Sequence, residues 1–116
     1  MERPTIEIEL PVTKDKVVLK SWLTKAEADK TKEPVRTYYS LKHENPSEAA
    51  KVLLGEVLEQ VESNVVETAV VSIDGVSTGI KEIVADLPEA DYDAIIREID
   101  RTVRPPKEPS QKSEAS

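Results

Sequence analysis

The chain has no cysteine and no phenylalanine, and only three glycines, one histidine and one tryptophan. Each shortage removes a class of chemistry. Without cysteine there is no disulfide and no thiolate, which fits a reducing compartment. One histidine, His43, cannot supply the common zinc sets, which need three or four ligands. Glycines at positions 55, 75 and 79 are too sparse for a phosphate-cradling loop. No run approaches the ~20 apolar residues of a membrane span. The opening Met1-Glu2-Arg3-Pro4 has no apolar signal core, so a cytoplasmic location is expected.

The remaining polar groups offer little for catalysis. His43 lies in the run Lys42-His43-Glu44-Asn45 with no obvious orienting partner, and reads as a surface side chain. Asp86, Glu89, Asp91 and Asp93 lack the pattern of a calcium loop and read as the acidic start of a helix. The expectation is a protein that is not an enzyme and takes no cofactor and no metal.

The formal net charge is −7. Arg104, Lys107 and Lys112 outnumber Glu108 and Glu114 in the last stretch, so the rest is more acidic still. Such a surface repels phosphate backbones and anionic lipids, which argues against nucleic-acid and membrane partners. Lys14, Lys16, Lys20 and Lys25 alternate with Asp15 and Glu27 and read as a solvated face.

What is present is a chain of 116 residues, one domain at most, expected to fold over residues 1–103. Residues 104–116 include Pro105, Pro106 and Pro109 and no large apolar side chain, so a disordered tail is expected there. With Trp22, Tyr38, Tyr39 and Tyr92 as the only aromatics, the core must rest on Val, Ile, Leu and Ala.

Ile6, Ile8 and Leu10 alternate with Glu7 and Glu9, and Val17 to Trp22 is β-rich, so a hairpin opens the fold. Thr24 and Glu27 form a capping box for a polar helix from Lys25 to about Glu33, ended by Pro34. Val35 to Glu44 fits either a helix or an extended loop. Asn45-Pro46-Ser47-Glu48 starts a central helix, Pro46 to Glu62, with Ala50, Leu53, Leu54, Val57, Leu58 and Val61 at helical spacing. Val65 to Ile73 is β-branched and ends at Asp74-Gly75, which predicts a third strand near Glu67 to Ile73, with a continued helix as the alternative. Gly79 to Ala85 suits one or two helical turns. Tyr92, Ile95, Ile96, Ile99 and Val103 share one face of a closing amphipathic helix. The predicted class is α+β.

With catalysis set aside, protein–protein contact remains. Tyr38, Tyr39 and Leu41, with Trp22 as a neighbour, are the candidate partner-binding residues, because aromatics are enriched at interface hot spots. The alternative is that they complete an aromatic-poor core. Homo-oligomerisation is left open.

The order of parts resembles a known family. Ile8-Glu9-Leu10-Pro11 and Val17-Val18-Leu19-Lys20 lead through Leu23-Thr24 into a polar helix; a central helix follows, and the closing helix opens as Leu87-x-x-x-Asp91-x-x-x-Ile95. This organisation, over roughly Thr5 to Val103, resembles the small tail assembly chaperones and related tail or baseplate assembly proteins of long-tailed bacteriophages. The resemblance implies a non-enzymatic virion assembly factor in the host cytoplasm. It would bind the tape measure protein or a tail-tube protein, with Tyr38, Tyr39 and Leu41 as the contact strip. A structural baseplate or tail-completion subunit retained in the virion is one alternative; an acidic inhibitor or antitoxin blocking a basic site is another.

Overall fold

The hairpin forms where the alternation places it. In the computed structural model, which describes residues 3–103, β1 (Thr5–Glu9) pairs antiparallel with β2 (Lys16–Lys20), setting Ile6 opposite Leu19 and Ile8 opposite Val17. Those four turn inward, while Glu7 and Glu9 stay exposed. The connecting turn places Lys14 in the left-handed region at φ 68°. β3 (Val70–Ile73) adds to the far side of β2, giving the strand order β1-β2-β3 with a bulge between Val18 and Leu19.

Among the described residues, six α-helices, one of them a single turn, and a closing π-helical turn accompany this sheet. α1 (Lys25–Thr31) starts at the expected capping box: Glu27 N–H donates to Thr24 Oγ1 at 3.1 Å, and Thr24 N–H donates to Glu27 Oε1 at 2.9 Å. It stops two residues early, at Thr31. Pro34 does not end this helix; it sits in the first turn of α2 (Glu33–Glu44), where its missing N–H costs nothing. The ambiguous Val35–Glu44 stretch is therefore helical.

The expected central helix is two. Asn45 caps α3 (Pro46–Ala49), which ends after a single turn, and α4 (Leu54–Ala69) starts afresh beyond Leu53. α4 then runs past Glu62 through Val65–Ala69, part of which the β-branched composition had assigned to a strand. Val61, Val65, Val66 and Ala69 share a helix face turned to the core, and that burial outweighs local β propensity. The third strand exists but is shorter than expected, beginning at Val70 directly from the helix.

β3 ends in a two-residue turn. Asp74 (φ 51°) and Gly75 (φ 85°) are both left-handed, and Ile73 and Val76 exchange backbone hydrogen bonds of 2.9 Å across them. α5 (Ile80–Ala85) and α6 (Glu89–Glu98) follow, and a π-helical turn, Ile99–Val103, closes the fold. The buried core joins Leu10, Val17 and Leu19 of the hairpin segment to Val65, Val66 and Ala69 of α4 and to Ile95, Ile99 and Val103. It contains no aromatic; Tyr92 packs against its edge, half-buried. The architecture is α+β, as the patterning predicts. The expected tail at 104–116 lies outside the described residues.

Candidate functional site

The same stripe of α4 that enters the core also leaves it. Leu54, Leu58, Val61, Val65 and Ala69 stand at offsets 0, 4, 7, 11 and 15, one face of a helix. Val65 and Ala69 are buried and Val61 is half-buried. Leu58 is 55% exposed, Leu54 46%, and the flanking Leu53 63%. The helix runs beyond the edge of the core and carries its apolar face with it. Three leucines bare within six positions are a patch rather than the scattered exposure normal for a surface.

On the α2 side the patch borders a groove of about 420 Å³. Tyr38 and Leu41 line it from α2, and Val52 and Val57 from the α4 side, with Glu33, Thr37, Gln60 and Asn64 as its polar members. Tyr38 and Leu41, predicted to bind a partner, are thus brought together, both half-buried. Tyr39 meets Tyr38 edge to face, with ring centres 5.4 Å apart and planes at 67°. It turns outward, 57% exposed, beside Arg36 and His43.

Trp22 does not join them. It lies between β2 and α1, with the Arg3 guanidinium 4.6 Å from its ring centre. Arg3 also donates to the Trp22 carbonyl at 3.1 Å and pairs with Glu27 at 2.8 Å. Glu27 in turn receives Lys20 Nζ at 2.9 Å. The Lys20 hydrogen bond, the Thr24 N–H and Arg3 together hold the Glu27 carboxyl down at about 2, against the opposing effect of burial. Trp22 is part of this junction, which ties the N-terminal segment, the sheet and α1.

The other margin of the leucine patch is acidic. Tyr92 Oη donates to Glu62 Oε1 at 2.8 Å, linking α6 to α4 one turn beyond Leu58. Burial, the Glu62 hydrogen bond and the nearby carboxylates of Asp93 and Glu59 push the Tyr92 phenol well above its usual range. α4 itself carries Glu56, Glu59, Glu62 and Glu67 and no Lys or Arg.

Asp91, in the acidic start of α6, has a structural task. Its side chain is fully buried and accepts the backbone N–H groups of Val12 at 2.8 Å and Thr13 at 3.0 Å. Burial pushes its carboxyl up, but those two donors, the Thr13 hydroxyl and the Lys14 charge prevail and hold it below the usual value. It clamps the hairpin turn onto α6.

Helical spacing alone places Leu53, Leu54 and Leu58 on the apolar stripe of the expected central helix. Periodicity reports which residues share a face, not how far the covering layer extends. The available signal was the adjacent pair Leu53-Leu54 ahead of Gly55, a surplus of apolar surface at the end of a helix. Among the described residues, no group of three or more metal-ligating side chains is placed to hold an ion, and no helix is long and apolar enough to cross a membrane. Compared with protein-family models, curated proteins and solved structures, the chain finds no match.

Proposed function

We propose that this chain is a non-enzymatic adaptor that works by covering apolar surface on another protein, in the manner expected of a tail assembly chaperone of a long-tailed bacteriophage. The observation that carries the reading is the run of bare leucines, Leu53, Leu54 and Leu58, beside the groove of Tyr38 and Leu41. Uncovered apolar surface of this kind marks protein-interaction sites. The surrounding negative charge keeps the free protein and its complexes dispersed. The order of parts along the chain supplies the phage assignment, and the tape measure protein is the proposed client.

Co-expression with a tape measure protein tests it. The expected result is co-purification and a larger soluble fraction of that client, both lost in a Leu54→Ser/Leu58→Ser variant that keeps its helical circular dichroism. A client equally insoluble with and without the chain would overturn the reading. Finding the chain in purified virions would assign it instead to a retained tail or baseplate subunit.

A further inference from the structure

Resting on that adaptor reading, we infer that the leucine face of α4 receives a cationic amphipathic helix, laid along Leu54 and Leu58 with its basic residues against the carboxylates of α4 and α6. Three observations define the occupant. The face is a ridge of Leu54, Leu58 and Val61 that measures about 10 Å at the helical rise per residue. It matches a partner stripe with anchors at i, i+3 or i+4, and i+7, the pattern by which helices dock in grooves. The Tyr92–Glu62 hydrogen bond ties α6 to α4 one turn beyond Leu58, which brings the acidic start of α6 to this end of the ridge.

The charge around the ridge selects the partner's sign. Glu59, Glu62 and Asp93 all lie close enough to act on the Tyr92 phenol; α4 holds no cation, and α6 holds one, Arg97, against four carboxylates. Lys81 reaches α4 and is engaged there with Glu67 at 3.6 Å and Asn64 at 3.2 Å. A helix flanked by Lys or Arg finds complementary charge on docking.

The same observations disfavour the other occupants. A second copy packed through this face would oppose two α4 helices, each carrying four carboxylates and no base, in a chain of net charge −7. Residues 104–116 contain no Leu, Ile, Val, Met or aromatic residue with which to fill it.

Two synthetic peptides provide the test. Both carry the same leucine stripe over about 18 residues; one has Lys at the remaining positions, the other Glu. Each is titrated into the full chain by calorimetry, with amide shifts followed by NMR. The Lys peptide should bind at least tenfold more tightly than the Glu peptide, shift Leu54, Leu58 and Val61, and weaken as salt rises. Leu58→Lys should weaken it at least tenfold, while Val12→Lys, a change at an exposed site on the hairpin turn, should leave it unchanged. Equal affinity for the two peptides, or binding that survives Leu58→Lys, would overturn the inference. So would a stable dimer at neutral pH that Leu58→Lys dissociates. If neither peptide binds although the tape measure protein co-purifies, the helix assignment fails and the adaptor reading stands.

Discussion

Asp91 shows how much one side chain can organise. Its two oxygens each take one backbone N–H from the hairpin turn, and the carboxylate itself is fully buried. Asp91→Asn keeps the shape but offers one acceptor and a donor, so either the Val12 or the Thr13 N–H faces an NH₂ group. The expected outcome is a melting midpoint lower by several degrees, with hydrogen exchange accelerated at Val12 and Thr13 before the rest of the sheet. Glu27 sets a second residue-scale expectation, this one in pH. Its carboxyl sits at about 2 in the folded chain against 4.5 for the free side chain. Between those values the unfolded state binds more protons than the folded one. The stabilisation from Glu27 is therefore complete above pH 4.5 and lost as pH falls towards 2. Denaturant midpoints should decline across that window, and Glu27→Gln should both lower the neutral-pH midpoint and flatten the decline. The Leu87-x-x-x-Asp91-x-x-x-Ile95 spacing could be read from the chain, and Asp91 was read only as an acid suited to a helix start. Its partners lie some eighty positions away in sequence, where no local pattern reaches.

Between elements, glycine separates two kinds of boundary. Gly75 stands at φ 85° in the turn after β3, so Gly75→Ala should cost about 1 kcal/mol by forcing a side chain into the left-handed region. Gly55 lies in the first turn of α4 with ordinary φ, and a Cβ added there meets nothing within 4 Å. Gly55→Ala should therefore stabilise the protein, by up to about 1 kcal/mol. Urea titration of the two variants should give midpoint shifts of opposite sign. Elements defined by local rules were readable in advance: the hairpin from its alternation, α1 from its capping box, the turn from Asp74-Gly75, and the apolar face of the closing helix. The misreadings arose where two rules compete. Pro34 can end one helix or begin the next, and only the packing of α2 against α4 decides. Glu67 to Ala69, expected in the strand, belong to α4, the alternative reading: the β-branched stretch favours a strand locally, but Val65, Val66 and Ala69 fall on the buried face of the helix, and tertiary burial prevails. Of the candidate site, Tyr38 and Leu41 could be picked out as apolar groups in a polar neighbourhood. The leucines could not be distinguished from core residues, because spacing is blind to where the core stops.

Across the whole molecule, an apolar face and a large negative charge act against each other. A net charge of −7 should oppose association at neutral pH, while the exposed Leu53, Leu54 and Leu58 should favour it as that repulsion weakens. The balance is set by pH, since the isoelectric point is about 4.8. That value lies above the range in which protonation of Glu27 removes its stabilisation, so the chain should lose most of its net charge before it loses that contribution. Light scattering should find monomers at pH 7.5 and association as pH approaches 5, reversible on return to neutral pH. In the Leu54→Ser/Leu58→Ser variant the charge is unchanged and the apolar face is gone, so the same titration should stay monomeric. If both proteins associate alike, charge neutralisation alone drives the effect, and the leucine face is not the surface by which this molecule meets others.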